Sequence, residues 1–155
     1  EVADEAVTKV NAQIVFMPMQ YPEDVKAAKK IVAKMKQPAC ILKEDFTTRE
    51  LMSLVGNMDL MIGIRLHALI FAGVMGTPMI GISYDPKIDR FLKSIDEDVV
   101  GDLENVTVEA LMQEINAKWN NKEIYRNQNL KRMAKLRSLA RSNAEMALEF
   151  IDKNK

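Results

Sequence analysis

Residues 60–87 read LMIGIRLHALIFAGVMGTPMIGISYDPK, and the order of apolar and helical stretches in this segment decides the fold. Asp59–Ile64 is an apolar run, Arg65–Met75 has the composition of a helix, and Pro78–Ile82 is a second apolar run. Gly76 stands where the helix must close, a position in the left-handed region that glycine enters cheaply. The runs lack polar alternation, as strands do when both faces are covered in a sandwiched parallel sheet. Run, helix and run are the mark of one strand–helix unit of a parallel sheet, and if its two strands are adjacent and parallel the turns that follow them lie side by side on one edge.

The same order extends outward in both directions. Ile14–Met17 is a run stopped by Pro18, and residues 23–36 read as a helix from the spacing of Val25, Ala28, Val32 and Met35. Ala39–Leu42 is the next run, with Cys40 expected buried and inert inside it. Thr47 and Glu50 form a capping box ahead of Leu51, Leu54 and Val55. Downstream, 86–95 is a short helix, Val99 and Val100 start an edge strand, and Val106–Lys118 is a helix with Thr107 as N-cap. The last stretch, about 122–152, lacks Pro and Gly and repeats apolar residues every three or four positions, giving one long helix. The expectation is a single Rossmann-like α/β domain over 1–155, its core over about 11–120, with part of the long helix packing on material outside this chain.

Composition removes several classes of function. The chain has 155 residues, enough for one domain with a real core. Lys plus Arg number 22 and Asp plus Glu 22, so the broad basic field of a nucleic-acid binder is missing and any anion site must be local. One cysteine and one histidine cannot build a Cys/His metal cage, and no metal or cofactor is called for. The lone cysteine fits a reducing, cytoplasmic setting. Ala68–Ile82, the longest nearly apolar stretch, is too short for a bilayer span and is split by Pro78. No signal-peptide pattern opens the sequence at Glu1, and the chain reads as a piece of something longer. Lys131, Arg132, Lys135, Arg137 and Arg141 form a basic stretch, read first as a solvated face, with peripheral contact to anionic lipid as the alternative.

In an open parallel sheet the ligand site lies beyond the carboxyl ends of the strands, at the helix N-termini. Two turns meet there: Gly63-Ile64-Arg65-Leu66-His67 and Ser83-Tyr84-Asp85-Pro86-Lys87. Arg65 offers a planar fork for a carboxylate or phosphate, and Lys87 a compact charge. Gly63 allows close backbone approach and Ser83 adds a hydroxyl. His67 carries the side chain best able to give and take a proton near neutral pH. Competing readings are structural: Arg65 pairing with Asp59 or Asp85, Lys87 as an ordinary surface residue, Asp85 as an N-cap before Pro86. Gln20 and Asp24 could line the same edge, without an assigned role.

The Gly63–Ala72 and Gly81–Lys87 segments, at this separation and beside the Thr47–Asp59 unit, resemble the polysaccharide pyruvyl transferase family, and within it the bacterial CsaB-type enzymes, over about residues 13–95. The resemblance implies a transferase of GT-B-like architecture, two Rossmann-like halves facing a cleft, with this chain as the C-terminal half and an N-terminal half supplying a further arginine. It implies transfer of pyruvate from phosphoenolpyruvate to a sugar as a ketal with release of phosphate. Among CsaB-type members the acceptor is an N-acetylmannosamine-containing, lipid-linked precursor of a secondary cell-wall polymer, and the product anchors S-layer homology domains. Donor recognition and catalysis map onto Arg65, His67 and Lys87. Two rival functions stay open: a nucleotide-sugar glycosyltransferase of the same architecture, with Glu44 as a ribose ligand, and a non-catalytic anion-binding or assembly module. The chain by itself is expected to bind weakly and catalyse nothing.

Overall fold

A computed structural model describes residues 1–153. Seven helices and five strands follow one another as α1 (Val2–Val10), β1 (Ile14–Phe16), α2 (Glu23–Val32), β2 (Ala39–Ile41), α3 (Thr48–Gly56), β3 (Met61–Gly63), α4 (Leu66–Met75), β4 (Met79–Ser83), α5 (Pro86–Ser94), β5 (Val99–Asp102), α6 (Val108–Asn120) and α7 (Lys122–Lys153). All strand pairs are parallel, in the orders β1-β2 and β3-β4-β5. The Rossmann-like α/β reading holds, with the expected sheet divided into two ladders.

The central strand β4 shows why its sequence is continuously apolar. All five of its residues are buried. Met79 faces a cluster with Val55, Leu69, Ala72, Ile88, Leu92, Ile95 and Met133, while Ile80 and Ile82 face a second cluster with Leu111, Met112 and Ile115. Alternate side chains thus enter opposite layers, α4, α5 and α7 on one side and α6 on the other. Each fully buried aliphatic side chain contributes about 1.5–3 kcal/mol of transfer free energy, so this strand anchors the domain. Gly81 is part of the same logic, because a Cβ there would lie 2.4 Å from Leu92 Cδ1.

Coverage on both faces does not extend to the other strands. Cys40 is exposed in β2 and Ile62 in β3, correcting the buried placement expected of Cys40. Both lie in edge strands, where a short apolar run looks the same in sequence as a central one. α2 also stops at Val32 rather than residue 36: Lys34 and Met35 donate to Ile31 and Val32, three-residue turns that unwind the chain ahead of Pro38. Other local signals hold. Thr47 and Glu50 form the reciprocal capping box, Thr107 accepts from Ala110 N–H, and Gly76 closes α4 at φ 77°.

α7 runs 32 residues and changes character along its length. Its first half packs on α4, where Gly73 allows close approach: a Cβ would meet Met133 Sδ at 2.9 Å. Asn129 and Met133 are buried there, and Asn129 donates to the Thr77 carbonyl at 3.0 Å. From Arg137 to Lys153 every residue is exposed. Arg132 departs from the solvated basic face expected of it, since it donates to Glu97 at 2.6 Å. No helix among the described residues is long and apolar enough to cross a membrane.

Candidate functional site

The parallel pairing of β3 and β4, with Gly63 opposite Gly81, sets the α4 and α5 turns side by side on one edge of the sheet. A crevice of about 440 Å³ opens on that edge, lined by Met19, Gln20, Phe46, Thr48, Leu51, Arg65, His67 and Phe71. Three elements build it: the β1–α2 turn, the start of α3 and the start of α4. Arg65 occupies the N-cap of α4 in extended conformation and makes no side-chain cap bond. The first-turn N–H groups of α4 consequently lie beside the guanidinium, as at a helix-terminal anion site.

Arg65 pairs with neither Asp59 nor Asp85, the partners considered from sequence. Its Nε and Nη2 donate to Asp24 Oδ2 and Oδ1 at 3.0 and 2.6 Å, while Asp59 binds Lys122 and Asp85 binds Lys87. Asp24 Oδ2 also accepts from the Met19 and Gln20 N–H groups at 3.0 and 2.9 Å. Burial pushes the Asp24 carboxyl up, but Arg65 and the two backbone N–H groups outweigh it and hold it below the ordinary carboxylate range. The same Asp24 contact leads in holding the guanidinium protonated, against the opposing effect of burial, with Tyr84 and Glu23 adding to it.

A depressed carboxyl stabilises the fold above its unfolded-state pKa of about 4, and that contribution is lost as pH falls through the lower folded-state value. Urea unfolding at pH 7 and pH 3 should therefore show a larger acid loss in the wild type than in Asp24→Asn. Equal losses in both proteins would contradict the pairing.

His67, the second residue of α4, is exposed, with its ring centroid 6.5 Å from that of Phe71 and tilted by 52°. Gly63, Ser83 and Lys87 do not line this crevice. A Cβ on Gly63 would meet Leu69 Cδ2 at 3.1 Å, so its missing side chain admits α4 packing. Ser83 is buried and donates to Asp89. Lys87 sits on the next turn with its ammonium 3.0 Å from Asp85 and 5.8 Å from the Tyr84 ring centroid. Hydrogen bonds from the Lys87 N–H and ammonium hold Asp85 below the usual range and in return raise Lys87. Tyr84, on the same turn as Lys87, adds electrostatically to the upward shifts of both Arg65 and Lys87. Glu44 is exposed and outside the crevice.

Phe46, Leu51 and Phe71 line the crevice together with Arg65, so apolar surface and a cation share it. Sequence reasoning missed these apolar lining residues, since they carry no chemistry of their own. A second hollow, about 480 Å³, lies at the opposite end of the sheet near Glu97, Lys118 and Arg132. Its cations are already joined to Glu97, and no carboxyl end of a strand opens there.

A family model described as polysaccharide pyruvyl transferase matches residues 3–86, more than half of the chain and every residue lining the crevice. No curated protein and no solved structure matches the sequence.

Proposed function

This chain belongs to the polysaccharide pyruvyl transferase family, and from that premise we propose that its crevice receives phosphoenolpyruvate and passes pyruvate to a sugar as a cyclic ketal. The observation that carries the reading is the pairing of an oriented guanidinium with an exposed imidazole at an uncapped helix start. Arg65 takes the donor carboxylate through the guanidinium edge that Asp24 does not use. Lys87, on the neighbouring turn outside the crevice lining, is assigned the phosphate, which requires the donor to reach from the crevice toward the start of α5. Its present bond to Asp85 is solvent-exposed, so exchanging that partner for a dianionic phosphate costs little. Gly63 and Ser83 shape the strand ends beneath.

His67 donates a proton to the methylene carbon of the enol, forming the methyl group and leaving positive charge at the neighbouring carbon. A sugar hydroxyl attacks that carbon and gives its proton to the deprotonated His67, restoring the acid. A second hydroxyl then displaces phosphate, which carries away that hydroxyl's proton, closing the ketal. Fixed cations steady the departing phosphate without reorganising as charge moves. The acceptor is an N-acetylmannosamine-containing, lipid-linked precursor of a cell-wall polymer, met at the cytoplasmic face of the membrane, and this chain is the donor-binding, C-terminal half of a GT-B-like enzyme of CsaB type.

Calorimetry tests the donor. Phosphoenolpyruvate should bind the complete enzyme, nucleotide sugars should not, and Arg65→Ala should weaken phosphoenolpyruvate binding by roughly 10- to 100-fold, the loss expected for a charged, two-point contact. Binding of a nucleotide sugar in preference would transfer the assignment to a glycosyltransferase. Failure of either ligand to bind would leave an assembly role.

A further inference from the structure

Asp24 is tied into the edge of the crevice more firmly than an ordinary ion-pair partner. Both carboxylate oxygens are occupied by four donors in all, two from Arg65 and two from the backbone at Met19 and Gln20. Asp24 is the second residue of α2, where the positive helix end favours a carboxylate, and its own N–H donates to the Gln20 carbonyl at 2.9 Å. The aspartate is thus fixed by local structure before Arg65 arrives from a turn 41 residues away.

The guanidinium has five donors in two usable edges. Asp24 takes the side edge, Nε with one hydrogen of Nη2. The end edge, Nη1 with the other hydrogen of Nη2, has no hydrogen-bond acceptor among the described residues. We infer that Asp24 is a positioning residue that sets the plane of Arg65 and leaves its end edge as a two-point receptor for the donor carboxylate. This rests on the donor-site reading above and deepens it.

A rival arrangement, in which the incoming carboxylate displaces Asp24, strands two backbone N–H groups and a carboxylate without their partners, so it is disfavoured. The positioning role has a distinctive consequence. Asp24 cancels the formal charge of Arg65 and therefore reduces the general pull on anions, while it improves the angle of the one that binds. Removing its charge restores attraction and loosens geometry. Misplacement by about 1 Å costs on the order of 100-fold in rate, whereas ground-state affinity gains from the freed charge.

The test uses Asp24→Asn and Asp24→Ser in the complete enzyme, with kcat, KM for phosphoenolpyruvate and Tm measured together. Serine still accepts a backbone N–H and preserves the turn, so it covers the case in which the asparagine protein folds poorly. Both variants should lose roughly 10- to 100-fold in kcat with KM unchanged or lowered. A wild-type kcat, or a loss appearing in KM or Tm with kcat per folded molecule intact, would overturn the positioning role. Arg65→Ala separates the two levels of the proposal. If it leaves phosphoenolpyruvate binding intact, the donor site itself falls; if binding is lost while Asp24→Asn behaves as wild type, positioning alone falls.

Discussion

Replacing His67 by alanine is expected to lower kcat by roughly 10²- to 10⁴-fold, the range for removal of a general acid, while phosphoenolpyruvate affinity stays within about twofold of wild type. The first half of that expectation rests on the proposed mechanism, in which carbon protonation creates the electrophile; the crevice is lined by a single imidazole together with the guanidinium to which the donor carboxylate is assigned. The second half follows from the structure. His67 is exposed and, among the described residues, makes no hydrogen bond or ion pair, only the tilted contact with Phe71, so its removal leaves the fold and the Arg65 edge in place. Single-turnover kinetics with calorimetry on the same preparation separate the two quantities. Near-normal turnover in His67→Ala would end its assignment as the proton donor, and a large loss of donor affinity would recast it as a binding residue.

Much of the scaffold behind that site was legible in the chain itself. The uninterrupted run at 79–83 announces a strand covered on both faces, and its neighbour ending at Gly63 gives the adjacent turn. Asp85-Pro86 announces an N-cap, confirmed by the Lys87 N–H donating to Asp85 Oδ1 at 2.9 Å. These are local signals, set by backbone geometry within a few residues. The partner of Arg65 is a different kind of fact. Asp59 and Asp85 are near in sequence, but Asp24 arrives by tertiary folding, and only its place at a helix start after a strand, on the same edge of the sheet, pointed toward it. Cys40 and Ile62 were misjudged for a related reason: composition marks a strand, whereas its rank in the sheet decides how many faces are covered. The placement of Lys87 one turn away from the crevice likewise depends on how α5 leaves β4, which spacing alone does not encode.

The largest stability loss is expected at the other end of the sheet, for Glu97→Ala. Glu97 accepts from Lys118 Nζ through Oε2 and from Arg132 Nη1 through Oε1, each at 2.6 Å. Lys118 lies on α6 and Arg132 on α7, so one carboxylate joins both helices to the turn before β5. The Lys118 side chain is only 4% exposed. Without Glu97 its ammonium keeps the Met79 carbonyl at 2.7 Å and the Tyr125 ring at 5.1 Å, while the next carboxylate, Glu114, is 3.9 Å away and half in solvent. A buried charge that loses its close carboxylate costs about 3–5 kcal/mol when these weaker contacts do not replace it, which for a chain of this length lowers Tm by on the order of 10 °C. Because the cost comes from the stranded ammonium rather than from the lost pair, Lys118→Met added to Glu97→Ala should recover a substantial part of it. Urea unfolding of the two variants measures both numbers. A loss below about 1 kcal/mol for Glu97→Ala, the range of solvated pairs, would mean that water reaches Lys118; failure of the second substitution to recover stability would mean that Arg132 or the Met79 contact dominates. Since this network sits at the strand starts, away from Arg65 and His67, the folded fraction of Glu97→Ala should turn over substrate at the wild-type rate.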